Sequence, residues 1–241
     1  MKNGLERIGI LSHIAGFLLC LSVTFYSCSP LYFPNMVNSP LLSDKGEFQV
    51  MAGNGNSGYN AQLAYAPINH LGLIASGSLN NSHHSNFYTY NVGAGYFGSI
   101  PEEPSTKYEL YMGAGKGKIM NQSINFFSDQ TVNADYTHLF FQSGLGLENR
   151  FVGGGIAMRL SYIDMQTVDL SSSNTGNYRD LYFEPALNLK IGYKNIKFIM
   201  QAELSQRLTG RNSYHYDYNF ITLSLGLQFI MGKQYLNDNH F

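Results

Sequence analysis

The feature that most constrains this chain is a two-residue alternation that recurs along most of its length and is clearest near the C-terminal end. In "YNFITLSLGLQFIM", Ile221, Leu223, Leu225, Leu227, Phe229 and Met231 are apolar, and Thr222, Ser224, Gly226 and Gln228 fall between them. Side chains alternate across an extended backbone, so this stretch is a strand with one greasy face. Upstream, Ile196, Phe198, Met200, Ala202 and Leu204 alternate with Lys197, Gln201, Glu203, Ser205 and Arg207. Before them, Leu181, Phe183, Leu187, Leu189 and Ile191 alternate with Tyr182, Glu184, Asn188 and Lys190. No helical periodicity appears from Glu47 onward. The pattern predicts ten strands, at 47–53, 59–66, 70–79, 87–98, 107–119, 134–149, 152–165, 180–193, 195–207 and 217–231. Eight spanning strands stay open, because the first two segments are short.

Alternation does not say which face is inside, since a soluble sandwich shows it too. Length helps to decide. Several segments run well past the roughly 5 to 6 residues of an ordinary globular strand, and tilted membrane-spanning strands need about 9 to 11. Charged residues are 13% of the chain, against roughly a quarter in soluble domains, while Gly (25), Tyr (18) and Phe (16) are plentiful. Fifteen basic and sixteen acidic residues leave a net charge of −1, so no nucleic-acid partner is expected. The polar faces are rich in glycine (Gly93, Gly95, Gly113, Gly115, Gly144, Gly146, Gly153, Gly155), which leaves room for a crowded interior.

The connections give an independent test. Those after odd-numbered segments (54–58, 80–86, 120–133, 166–179, 208–216) are mostly long and polar, whereas of 67–69, 99–106, 150–151 and 194, three are tight. Long loops at one end and short turns at the other are a property of outer-membrane barrels, with the short side periplasmic. Both ends of the chain then fall on the short-turn side. Tyr96, Tyr108, Tyr193, Phe198 and Phe229 would ring one interface, and Tyr88, Tyr90, Tyr162 and Phe183 the other. Over residues 47–231 the chain thus resembles a small outer-membrane β-barrel of Gram-negative bacteria: all-β, antiparallel and up-and-down. The segment "SLGLQFIM" is similar to the C-terminal insertion signal of such proteins at Ser224, Gly226 and Phe229, although the chain continues as a tail over 232–241.

At the other end, "MKNGLER" carries Lys2 and Arg7 ahead of the apolar run "IGILSHIAGFLLCLSV", the layout of a signal peptide over residues 1–27. The residues "FYSC", 25 to 28, resemble a bacterial lipobox, with Tyr26 larger than the pattern usually admits. The resemblance implies cleavage before Cys28 and lipidation of its thiol. Cys20 sits within the apolar run, so the body of the chain has no disulfide framework or thiolate metal site. Pro30, Pro34 and Pro40 oppose helix and ladder alike, and residues 28–46 are expected to be an extended, lipid-anchored tether.

Chemistry-bearing motifs are few. "GNGNSG", 53 to 58, fits a dinucleotide-type glycine spacing but is followed by another strand, which makes it a hairpin turn. "GAGKGK", 113 to 118, lies inside a strand and lacks the ending of a phosphate loop. Glu47, Glu109, Glu148, Arg159, Glu184, Lys190, Lys197, Glu203 and Arg207 fall on the polar faces, and as buried charges they are expected to pair into an ion network that plugs the lumen. The loop candidates for catalysis are His83, His84, Asp129, Asp135, Asp164, Asp169, His215 and Asp217. "HYD", 215 to 217, resembles the Asp/His pair at the rim of a ten-stranded outer-membrane protease family, but no partner Asp pair stands in the first half. No metal site and no cofactor are expected. The favoured expectation is a non-enzymatic lipoprotein barrel for surface binding, adhesion or envelope structure. Its partners would be outer-membrane lipid, the barrel-assembly machinery during insertion, and an unidentified extracellular or periplasmic partner. The alternatives are a periplasm-facing soluble β lipoprotein with a conventional core and, third, a rim-site protease or hydrolase.

Overall fold

The structure is a computed structural model that describes residues 31–81, 86–125, 128–170, 175–209 and 218–232. The predicted alternation becomes strands β1 (Phe48–Gly55), β2 (Gly58–Ile68), β3 (Leu71–Asn81), β4 (Asn86–Ile100), β5 (Glu103–Asn125) and β6 (Ser128–Glu148). They are followed by β7 (Val152–Asp169), β8 (Thr175–Tyr193), β9 (Ile196–Leu204), the two-residue β10 (Gln206–Arg207) and β11 (Ile221–Met231). Each strand from β1 to β9 pairs antiparallel with the next. β9 then pairs with β11, and β11 returns to β1, from Phe48↔Met231 to Gly55↔Ser224. β10 resumes the β9 strand beyond Ser205 and pairs with β8. The result is a closed ten-stranded antiparallel barrel, and closure leaves no edge strand to satisfy.

Accessibility settles which face is out. Along β11, Leu223, Leu225, Leu227 and Phe229 are 57%, 53%, 49% and 48% exposed, whereas Thr222, Ser224 and Gln228 are at most 4% exposed. Over the band from the short turns to the level of Val92 and Leu139, the greasy side chains of the strands look outward and most of the polar ones look into the barrel. A conventional apolar core between sheets, the leading alternative at the level of sequence, is thereby overturned. A closed barrel with an apolar exterior satisfies every backbone polar group internally, which is the condition for crossing a bilayer with strands.

Two expectations about the connections are corrected. The stretches 120–133 and 166–179 are not loops, because ladder pairing continues to Asn125↔Ser128 and to Val168↔Thr175. Polar side chains there had broken the apolar alternation without breaking the backbone ladder. β5 to β8 are 23, 21, 18 and 19 residues long, so one side of the barrel projects beyond the length a bilayer needs. At the other end, 99–106 is no long loop, since Ile100 pairs with Glu103 and all four connections are tight. His70 and Lys194, with φ of 65° and 48°, take the left-handed conformation that two-residue hairpin turns require.

The largest correction concerns the tether. Residues 31–42 are extended, but they lie inside the barrel: Tyr32, Met36, Val37, Leu41 and Leu42 are all essentially inaccessible. At the projecting end, Leu31, Tyr32 and Phe33 pack with Phe87, Ile119, Val132, Tyr136, Ile163, Met165 and Tyr182. At the short-turn end, Leu42 packs with Ala64, Ala66, Ile74, Phe97, Tyr111 and Phe140. The segment therefore runs down the lumen from the projecting end, and β1 starts back up from the short-turn end. Inward glycines make the space. A Cβ at Gly146 would meet Leu41 Cδ1 at 2.6 Å, and one at Gly72 would meet Leu42 Cδ1 at 3.0 Å and the Tyr111 hydroxyl at 2.5 Å.

Candidate functional site

The inward polar residues of the wall form a seat for the segment. At the projecting end, the Tyr32 hydroxyl donates to Glu184 Oε1 at 2.8 Å, its ring lies 4.7 Å from that of Tyr182, and Phe33 stacks on Phe87 at 4.3 Å. One turn of the path deeper, Asn35 Nδ2 donates to Ser76 Oγ at 2.9 Å and Asn35 O accepts from Arg159 Nη2 at 3.0 Å. Val37 is bound through both backbone atoms by Gln201, Met36 O accepts from Gln62, and Asn38 O accepts from Gln142. Ser39 Oγ and the Leu41 N–H reach the two oxygens of Glu109 at 2.5 and 2.9 Å. Pro40 O accepts from Lys190 Nζ at 3.0 Å and Gln49 Nε2 at 3.1 Å, and Ser43 N–H donates to Glu47 Oε2 at 2.8 Å.

This arrangement follows from the backbone. An extended chain laid along a barrel axis makes no ladder with the wall, yet its buried N–H and C=O groups still need partners. Side chains from β1, β2, β5, β6, β7, β8 and β9 supply them. Leu41 adopts φ of 56°, unusual for a branched residue, and is held there by Glu109 and the glycine space beside it.

The expected lumen charges are all inward-facing, and several of them bond both to one another and to the segment. Arg159 joins Glu184 Oε2 at 2.7 Å and Glu203 Oε1 at 2.9 Å, with Ser161 also bonded to Glu184. Glu148 holds Lys197 and, at 3.7 Å, Lys190. Arg207 lies 3.9 Å from Asp180 and over the rings of Tyr182 and Tyr218. Glu47 and Glu109 accept N–H or O–H bonds from the segment, as Glu184 does from Tyr32, and Arg159 and Lys190 donate to its carbonyls. The network is therefore not closed among wall charges alone, and the missing members were Tyr32, Asn35 and the backbone of residues 35–43. The signal that could have found them is the density of large apolar residues in 31–42, which a solvated tether has no reason to carry.

Among the rim candidates with described side chains, Asp135 and Asp164 line one cleft, and no described histidine lines it with them. Asp135 pairs with Lys118 at 3.6 Å and Asp164 with Arg179 at 3.2 Å, both on the outer surface of the wall. Asp169 closes β7. Cys28, His83, His84, His215 and Asp217 lie outside the described residues, as do the side chain of Asp129, the leader and the tail beyond Gly232. On the same outer surface, Tyr88, Tyr90, Lys116, Lys118, Asp135, Asp164 and Arg179 line a cleft of about 510 Å³.

Fold and site together define a membrane-spanning β-barrel whose lumen is closed by the segment that leads into its first strand. No protein-family model and no curated protein matches the chain. Among solved structures it is similar to the translocator domain of the autotransporter NalP from Neisseria meningitidis, at 12% identity and a TM-score of 0.36, over 76% of this chain and 86% of that one.

Proposed function

We propose that the protein is an outer-membrane barrel, lipid-anchored through Cys28, that acts without catalysis in surface binding, adhesion or envelope structure. The observation that carries this reading is the seated segment: the lumen is spent on holding the chain's own residues 31–43 and not on a reaction centre. An open porin needs about 16 to 18 strands, and this barrel has ten with a polypeptide along its axis. The outer leaflet placement of the projecting strands follows from the short turns, which are periplasmic in barrels of this kind. Leu31 to Phe33 pack at the projecting end, so an acyl group on Cys28 would join the exposed face and not the periplasmic one. This reading differs from the expectation from loop parity, which put both ends of the chain on the short-turn side, where the end of β11 lies.

The test is fatty-acid labelling of the full chain and of Cys28→Ala, with heat-modifiable migration as the check on folding, and an epitope inserted after Ser29 probed on intact cells. Labelling that depends on Cys28 and an epitope reachable from outside are expected. Absence of labelling would remove the anchor, and an epitope reachable only after the envelope is opened would remove the outward threading.

A further inference from the structure

The outer face of the wall changes polarity at one level, and the outer cleft sits on that level. Ladder register places Val92, Ala114, Leu139, Tyr162 and Leu181 side by side across β4 to β8, all outward and none charged. Two residues further along each strand, about 7 Å toward the projecting end, the outward row is Tyr90, Lys116, Thr137, Asp164 and Arg179. The next is Tyr88, Lys118, Asp135, Gln166 and Asn177. Behind these polar rows, the inward side turns apolar, with Phe87, Ile119, Ala134, Tyr136, Ile163 and Met165 packed on Leu31 to Phe33. Below the switch the outer face of β4 to β8 is greasy, and above it the outer rows are polar while the inward side packs apolar side chains on Leu31 to Phe33. On the membrane-spanning reading, with the short turns periplasmic, this switch is where the outer boundary of the hydrocarbon falls.

We infer that the cleft on this boundary, across β4 to β8, binds the phosphorylated headgroup of an outer-leaflet lipid. The inference rests on the membrane-spanning reading of the barrel. Three cations, Lys116, Lys118 and Arg179, and two carboxylates, Asp135 and Asp164, face the cleft, leaving one positive charge in excess. Lys118 and Arg179 are bound to those carboxylates only through exposed pairs, which contribute little and are readily redrawn around a stronger anion. Lys116 has no ion pair among the described residues, and its direct ladder partners are Tyr90 and Thr137. Lys116 and Arg179 stand on either side of Thr137 and Asp164, and their ammonium and guanidinium groups are charge-assisted donors to phosphate oxygens once the exposed Asp164 pair is redrawn. Tyr88 and Tyr90, both about half exposed, add phenolic hydroxyls at the height where amphipathic rings sit in a bilayer.

What favours a lipid over a free anion is the continuity of the surface. Leu139, Phe141, Met158 and Leu160 lie directly below the cleft and are 50%, 45%, 51% and 40% exposed. A lipid whose acyl chains lie along that band brings its headgroup phosphates to the level of Lys116 and Arg179 without further ordering.

The test uses the purified full chain in detergent, analysed by native mass spectrometry with three probes: bis-phosphorylated lipid A, the same lipid with its phosphates removed, and inorganic phosphate. Lipid A is expected to be retained at least about tenfold more tightly than its dephosphorylated form, and the double variant Lys116→Gln, Arg179→Gln is expected to lose that margin. Heat-modifiable migration of the variant shows that the barrel itself is intact. Equal retention of both lipids, or a variant that binds as the parent does, would overturn the inference. Displacement of lipid A by an equal concentration of inorganic phosphate would also overturn it, making the cleft a free-anion site. A parent chain without heat-modifiable migration would instead fault the barrel reading on which the inference stands.

Discussion

Gln201 and Val37 form a closed ring of two hydrogen bonds: Val37 N–H donates to Gln201 Oε1 at 2.8 Å, and Gln201 Nε2 donates to Val37 O at 2.9 Å. A side-chain amide from β9 here does the work of a neighbouring strand, pairing a peptide unit that has no ladder partner of its own. Gln201→Leu keeps the volume and removes both bonds. Leaving a buried N–H and C=O without partners should destabilise the protein by about 1–3 kcal/mol, read as a lower denaturant midpoint for the heat-modifiable form.

Arg159 stands between Glu184 and Glu203 and also binds Asn35 O, so its removal strands two buried carboxylates and frees the segment at one point. Arg159→Met is expected to cost about 3–5 kcal/mol. Adding Glu184→Gln and Glu203→Gln should recover a good part of it, because the stranded charges are then gone. Equilibrium unfolding of the three proteins in the same detergent checks this, and a triple variant no better than the single one would contradict it.

Deleting residues 31–42 should open the lumen. The parent chain is expected to give no resolved steps in a planar bilayer, and the deletion to give small steps, below those of a porin of about 16 to 18 strands. Barrel closure between β1 and β11 does not involve the deleted residues, so heat-modifiable migration should survive. Porin-sized steps from the parent chain would contradict a seated segment.

Asp217→Asn should leave any surface proteolysis by cells carrying the protein unchanged. Of the other rim acids with described side chains, Asp135 and Asp164 each pair with a cation on the outer wall instead of facing a histidine. Peptide cleavage that depends on Asp217 would revive the rim-enzyme reading.

The barrel was legible because its rule is local. Each strand announces itself by alternation, and the odd positions from Ile221 to Met231 carry enough carbon to be read unaided. Where the wall leaves the hydrocarbon, the exterior no longer has to be apolar, so polar residues such as Asn133, Gln166, Asn177 and Arg179 interrupted the pattern and the stretches 120–133 and 166–179 at the ends of β5 to β8 read as loops. The segment was hidden for a different reason. Its conformation has no period, its prolines spoke for a linker, and many of its partners are distant in sequence, 24 residues for Met36–Asn60 and 164 for Val37–Gln201. The inward orientation of Glu109 was readable; that its two oxygens hold Ser39 and Leu41 was not.

The segment is joined without interruption to β1, and β1 is one side of the seam that closes the barrel against β11. That continuity sets an order of events in time. If the seam shut first, residues 31–42 would have to be drawn end-first past Tyr111, Phe140 and Arg159 through a lumen with no room to spare. If they are laid against the open sheet, the Gln201 and Glu109 contacts form while β9 and β5 are still accessible from one side, and the seam closes over them. Filling that accompanies closure of the seam avoids that passage.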